Sequence, residues 1–152
     1  MKGSRARDRI MSTEIRRTTL RMTIACTAAV AGATVLALLV GPALVGIWLD
    51  DRVDVDHVLW AGLGAWWIVQ TVTGAAFMVQ NGAEVLKPQL VGYGLLLVAV
   101  PAKWLVSANI GYSLIPWVGV VLYCLLIWPA CFVGYRRALE RAGQSSPAKE
   151  FE

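Results

Sequence analysis

A lysine enclosed by apolar sequence is the residue of this chain that is best placed to bind an anionic group. Lys103 lies between the uncharged segments 88–102 and 104–135. A charged side chain at membrane depth marks a ligand pathway when it faces a wet interior, where its charge offsets the desolvation of an anionic group. The alternative is that Lys103 extends along its helix and places the ammonium at the outer interface. Both arrangements are compatible with the sequence.

Other polar side chains could contact an anionic or hydroxyl-rich ligand. Four basic residues beside apolar runs could gather anionic headgroups: Arg16, Arg17, Arg21 and Lys87. Three amides could hydrogen-bond hydroxyl groups: Gln70, Asn81 and Asn109. Each candidate has a structural alternative, since basic residues that flank spans also fix topology, and the pair Asn81-Gly82 is typical of a tight turn.

The chemistry of enzymes and metal sites has no counterpart in the apolar runs. They contain no acidic pair, Ser-His-Asp set, metal cluster or glycine-rich phosphate loop. Cys26, Cys124 and Cys131 lack C-x-x-C spacing and are predicted to be small buried hydrophobes, and His57 stands alone. The net charge of +4 is concentrated at the ends. We therefore expect no enzyme activity, no metal, no cofactor and no nucleic-acid partner.

The elements that must position these side chains are transmembrane helices. The segments 22–49, 58–83 and 104–135 carry no charge, and uncharged apolar stretches of about 18 residues or more cross membranes as helices. We predict an all-α integral membrane bundle of four transmembrane helices at about 22–49, 58–80, 88–106 and 115–135. A basic cytoplasmic segment, 1–21, precedes it, and a cytoplasmic tail, 136–152, follows.

The distribution of charge predicts the topology. Seven basic residues precede the first span: Lys2, Arg5, Arg7, Arg9, Arg16, Arg17 and Arg21. The first loop is acidic and contains Asp50, Asp51, Asp54 and Asp56, which we interpret as a solvated turn. The tail is again basic, with Arg136, Arg137, Arg141 and Lys149. Because Lys and Arg are retained on the cytoplasmic side, both termini are predicted to be cytoplasmic.

Small residues in the first span predict a packing surface. Ala25, Ala29, Ala33, Ala37 and Gly41 recur at intervals of four residues, which we call the alanine ridge. Such a ridge allows another backbone to approach closely, so we expect these residues to face another helix. Prolines predict a kink at residues 101 and 129 and a first-turn position at residue 116.

The order of features from the first span to the tail resembles the carboxy-terminal part of bacterial polysaccharide flippases. These O-antigen and teichoic-acid type proteins belong to the multidrug/oligosaccharidyl-lipid/polysaccharide exporter superfamily. The stretches that carry the resemblance are EIRRTTLR, GPALVGIWL, FMVQNGAEVLKPQLVGYG and PAKWLVSANIGYSLIPWVGVVLYCLLIWPACFVGYRRAL. It covers residues 14–141.

The resemblance implies a function in the bacterial cytoplasmic membrane, contributing to export of a lipid-linked oligosaccharide. Family members have about a dozen spans in two lobes. Four spans correspond to the last third, so we expect either a truncated or mis-started gene product, or a chain that assembles with other transmembrane helices. The expected partners are membrane lipids, further helices and a lipid-linked oligosaccharide. The alternative is a small structural or accessory membrane protein without transport activity.

Overall fold

The fold is entirely helical in the residues that the computed structural model describes, which are 2–49 and 56–144. The helices are α1 (Lys2–Leu49), α2 (His57–Gly82), α3 (Lys87–Ile110) and α4 (Ile115–Gln144), and a short 3-10 helix, η1 (Tyr112–Leu114), precedes α4. Each of the four α-helices contains a segment long and apolar enough to cross a membrane. The predicted all-α bundle of four transmembrane helices is confirmed.

The helices extend beyond the predicted spans. The segment predicted as 1–21 is continuous with the first span, because α1 begins at Lys2. The helices α1, α3 and α4 continue through Pro42, Pro101 and Pro129, and Pro116 lies in the first turn of α4, as predicted. The acidic loop residues Asp50, Asp51 and Asp54, and the tail after Gln144, lie outside the described residues.

The helices pack in the order α1, α2, α4, α3. The helices α2 and α4 form the central pair, with α1 mainly against α2 and α3 against α4. The largest fully buried side chains are Tyr123, Ile127 and Gln80, all on the central pair. Most other large apolar side chains are exposed, as expected for helices whose outer surfaces meet lipid rather than water.

One end of the bundle is held by Asp56, which caps α2. Its Oδ1 accepts hydrogen bonds from the backbone N–H groups of Val58 (2.9 Å) and Leu59 (3.1 Å), two of the unpaired donors of the helix start. Its Oδ2 accepts a hydrogen bond from the Ser113 hydroxyl in η1. Trp117 Nε1 donates to the carbonyl of Val58 at 3.1 Å. The interpretation of Asp56 as a solvated loop residue was incomplete, because it joins α2 to the connection before α4.

At the other end, α2 terminates in a Schellman motif. Glu84 has a positive φ of 55°. Its N–H donates to Asn81 O at 3.1 Å, and the N–H of Val85 donates to Gln80 O at 2.8 Å. The tight turn predicted at Asn81-Gly82 was wrong by two residues, since both of these residues complete α2 and the left-handed position falls on Glu84. Arg141 supports the turn by donating to the carbonyls of Ala83 and Glu84.

The basic residues gather at this second end. A cavity of about 570 Å³ is lined by Ile15 of α1, Ala83 of the turn and Arg141 of α4. The part of α1 that carries Arg16 and Arg17 therefore lies level with the ends of α2 and α4. We call this the basic end and the opposite one, around Asp56, the Asp56 end.

Candidate functional site

The ammonium of Lys103 is directed into the helix array. Its Nζ lies 5.5 Å from the centroid of the Trp66 ring, a cation–π distance. A Cβ placed on Gly119 would be 3.0 Å from that Nζ and 3.1 Å from Trp66 Cζ3. The glycine thus provides the space that the ammonium and the ring share between α2, α3 and α4. The ammonium thus lies against α2 and α4, and its contact with a wet interior stays a prediction.

Aromatic and hydroxyl groups continue the site toward the centre of the bundle. The rings of Trp66 and Tyr123 meet edge to face, with centroids 5.5 Å apart and an interplanar angle of 76°. The hydroxyl oxygens of Tyr123 and Thr73 are 2.7 Å apart, and Thr73 donates to Gln70 O at 3.0 Å. Because a threonine hydroxyl has one proton, Tyr123 is the donor in the first bond. This network fixes the Tyr123 ring and, through it, the orientation of Trp66.

The three amide candidates are not brought together. Gln70 is half-buried on α2, one turn from Trp66. Asn81 Oδ1 accepts a hydrogen bond from Gln89 Nε2 at 3.0 Å, which links α2 to α3 near the turn. Asn109 donates to Leu105 O of its own helix at 2.8 Å. Gln70 is therefore the candidate nearest in sequence to the lysine–tryptophan pair.

The other predicted cations lie away from Lys103, at or near the basic end. Arg16, Arg17, Arg21 and Lys87 are all exposed. The first three are on α1, whereas Lys87 begins α3. The predicted cations therefore fall into Lys103, whose ammonium lies over the Trp66 ring, and a separate group at the basic end.

The alanine ridge is covered by another helix of the chain only at Gly41. A Cβ on Gly41 would be 2.2 Å from Trp60 Cζ3, so α1 and α2 approach closely there. The alanines at 25, 29, 33 and 37 are exposed, and two of them, Ala33 and Ala37, line a groove between α1 and α2. Contact of these alanines with another helix stays a prediction.

Sequence reasoning missed Gln80, the most buried polar residue in the described part of the chain. Its side chain is 0% exposed, and Nε2 donates to the carbonyl of Cys131 at 3.1 Å. A Cβ on Gly134 would be 2.0 Å from Gln80 Oε1, so α4 admits the amide only because residue 134 is glycine. The sequence does show a glutamine in the apolar run 58–83 and a glycine in the apolar run 104–135. It does not show the register of the two helices, which is what pairs Gln80 with Gly134.

The cysteines differ in environment. Cys131 is buried, as predicted, but Cys26 is exposed and Cys124 is half-buried, and all three are free thiols. Among the described residues, no three His, Cys, Asp or Glu side chains are grouped so that they could hold a metal ion.

The chain is a multi-pass membrane protein with four helices long enough to span the bilayer. No protein-family model, no curated protein and no solved structure matches it.

Proposed function

We propose that this chain is part of a flippase for a lipid-linked oligosaccharide in the bacterial cytoplasmic membrane, with both termini cytoplasmic. The observation that carries the proposal is the inward ammonium of Lys103, stacked on Trp66 beside Gly119. Intramembrane charges that face the interior of a bundle are costly and are typical of substrate pathways. The sequence resemblance to polysaccharide flippases supplies the substrate class.

The two side chains offer complementary contacts for such a substrate. The ammonium would attract the pyrophosphate that joins lipid to sugar, and it would offset part of the desolvation of that group. The indole face of Trp66 presents an apolar plane next to the charge, on which the less polar face of a sugar ring would stack. Gln70 lies one turn along α2 and would hydrogen-bond sugar hydroxyls. In this proposal Arg16, Arg17, Arg21 and Lys87 gather anionic headgroups at the inner surface.

In the proposed mechanism, transport requires further helices in addition to these four. Alternating access in two-lobed transporters arises from one lobe moving against the other around a central site. The chain would provide one wall of that site, and its other partners would provide the opposite wall.

Complementation of a bacterial strain that lacks its polysaccharide flippase tests the proposal. The chain is expressed alone and together with the first eight spans of a related flippase. Export is expected only in the second case, with Lys103→Arg retaining it and Lys103→Met abolishing it, because charge rather than shape is required. Trp104→Met, at an exposed neighbouring position, is the control. Equal export by Lys103→Met and wild type would remove Lys103 from the mechanism, and full rescue by the chain alone would contradict the need for partners.

The proposed orientation has its own test. Tyr112 is exposed at the Asp56 end and Glu140 is exposed at the basic end. In a cysteine-free background, we expect an impermeant maleimide to label Tyr112→Cys in intact cells and to label Glu140→Cys only after permeabilisation. Labelling of Glu140→Cys in intact cells would contradict cytoplasmic termini.

A specific observation also favours the second candidate, a small accessory membrane protein. The bonds Thr73–Tyr123 and Gln80–Cys131 are internal to α2 and α4, so the central pair is held without any other chain. In that case the protein would be stable alone, and Lys103→Met would leave polysaccharide export unchanged in every combination.

A further inference from the structure

A groove between α3 and α4 is apolar along its length and has two cationic side chains at one end, which we call its mouth. The groove has a volume of about 440 Å³ and is lined along its length by apolar side chains that include Val91, Leu95, Leu125 and Val133. Lys87 and Arg137 line it at the basic end. It lies on the side of α4 that carries Pro129 and Ala130, and neither α1 nor α2 contributes to it.

The length of the groove matches one leaflet of a bilayer. Leu125 and Arg137 are separated by twelve residues of α4, which corresponds to about 18 Å along the helix. Half of a hydrocarbon core of about 30 Å is about 15 Å. An acyl chain that starts at the basic end would therefore run along the groove to the middle of the membrane.

The mouth continues into a polar pocket. A pocket of about 270 Å³ shares Lys87, Pro88 and Arg137 with the groove, and the charged residues Glu84, Glu140 and Arg141 are among those that line its remainder. The two carboxylates line the pocket but not the groove, whereas Lys87 and Arg137 line both. The phosphate of a lipid whose acyl chains lie in the groove would therefore contact Lys87 and Arg137 before it reached the two carboxylates. Arg141 already donates to the carbonyls of Ala83 and Glu84, so it is not needed for this contact.

We propose that the groove between α3 and α4 is a binding site for an anionic phospholipid, with an acyl chain along the groove and the phosphate between Lys87 and Arg137. The two cations at the mouth complement the charge of the phosphate, and the apolar channel behind them fits an acyl chain. The lipid site shares Lys87 with the proposed transport function but uses neither Lys103 nor Trp66, so lipid binding and polysaccharide export are tested by different variants. The lipid is a resident of the leaflet at the basic end rather than the transported molecule.

Native mass spectrometry of the full chain in detergent tests the headgroup. The probes are phosphatidylglycerol and phosphatidylcholine with the same acyl chains, each added at increasing concentration. We expect phosphatidylglycerol to bind more tightly, with Lys87→Gln and Arg137→Gln each weakening it by about fivefold and the double variant by about thirtyfold. Arg136→Gln is the matched control, since Arg136 is adjacent to Arg137 and exposed but lines neither space, and it should change the affinity by less than about twofold. Equal affinity for the two lipids, or equal loss with Arg136→Gln, would overturn the site.

A second pair of variants tests the groove. Val91 is 62% exposed and lines it, whereas Val98 is 76% exposed on the same helix and does not. Val91→Trp should fill the channel and remove the tight binding of phosphatidylglycerol, while Val98→Trp should leave it unchanged. Unaltered binding by Val91→Trp would overturn the acyl-chain contact. Displacement of the lipid by millimolar inorganic phosphate would also overturn the proposal, because it would show that the mouth is an ion site only. Unchanged melting temperatures confirm that the variants are folded.

Discussion

The interface between α2 and α4 differs in kind from the interface between α1 and α2. The first contains buried polar bonds, from Tyr123 to Thr73 and from Gln80 to the carbonyl of Cys131. The second consists of side chains packed against glycines: Thr34 Cγ2 occupies the space that a Cβ on Gly64 would need, at 2.1 Å, and the Trp60 ring occupies that of a Cβ on Gly41. The Thr34 hydroxyl is bonded to Val30 of its own helix rather than across the interface.

The difference between the two interfaces shows which interactions decide how helices associate in lipid. Burial of apolar surface gives little preference for one helix over another there, because lipid tails are as apolar as leucine, so hydrogen bonds and close packing decide. The central pair uses both of these interactions, while α1 uses close packing with α2. We therefore expect α1 to separate from α2 more readily than α4 does, and the following changes test this difference.

The largest effect is expected from Gly134→Ala. The new Cβ would overlap Gln80 Oε1, and a fully buried amide has no room to withdraw, so the free energy of unfolding should fall by about 1–3 kcal/mol. Gly94→Ala is the control, because nothing lies within 4 Å of a Cβ there. Reversible unfolding in mixed micelles, followed by circular dichroism, measures both. Equal stability of the two variants would contradict the packing of Gln80 against Gly134.

The contact of α1 is tested by Gly64→Ala. The added methyl would displace Thr34, and we expect a loss of about 1 kcal/mol that is confined to α1. A disulfide engineered between α1 and α2 should form less readily, while one between α2 and α4 should be unaffected. Combining the change with Thr34→Ser, which removes Cγ2, should restore the first disulfide. Failure of that rescue would exclude Thr34 as the cause.

The polar bond at the centre is tested by Thr73→Val. Interhelical hydrogen bonds in membranes contribute about 0.6 kcal/mol on average, so the loss of the Tyr123 bond should cost about that amount. Thr71→Val is the matched control, because within the described residues the Thr71 hydroxyl donates to Trp67 O of its own helix and makes no bond to α4. The same unfolding assay compares them. Identical values for the two variants would show that the bond to Tyr123 does not stabilise the central pair.

A small gain is expected at the turn after α2. Glu84 has a φ of 55°, which glycine adopts without the steric cost that other residues meet. Glu84→Gly should raise the free energy of unfolding by about 0.5–1 kcal/mol. Glu140→Gly, in the interior of α4, should lower it instead. A decrease with Glu84→Gly would indicate that its side chain stabilises the turn more than its backbone strains it.

The smallest effect is a pH dependence at the Asp56 end. The Ser113 hydroxyl, followed by the N–H of Leu59, holds the pKa of Asp56 below its usual value of 3.8. Because the pKa is lower in the folded state, the carboxylate stabilises the fold above the unfolded value, and this contribution is lost as the pH falls through the folded value. The difference in stability between wild type and Asp56→Asn should therefore shrink progressively as the pH falls below about 5. A constant difference would contradict the bond.

The sequence predicted the four spans well because hydrophobic length is a local property. Charge patterning also predicted that Arg16 and Arg137 lie on the same side of the spans, and the structure brings the corresponding ends of α1 and α4 together. The pairing of Gln80 with Gly134 could not be predicted, since it depends on the register and rotation of α2 against α4. The same holds for Lys103 and Trp66, which are 37 positions apart in the sequence. The turn was misplaced because Asn-Gly favours a left-handed position that the backbone instead assigns to Glu84.

Because α1 is long, a small tilt of this helix would produce a large displacement near its start. Close contacts with α2 occur at Thr34 and Gly41, while Ser12 lies 22 residues toward the start of the helix, at a distance of about 33 Å. A tilt of about 10° around Thr34 therefore displaces Ser12 by about 6 Å. Arg16 and Arg17 lie on the same part of α1 and would move with it. Because Thr19 is buried and Ile15 lines the cavity beside Arg141, such a tilt would also open those contacts, so the position of the two arginines is coupled to packing at the basic end.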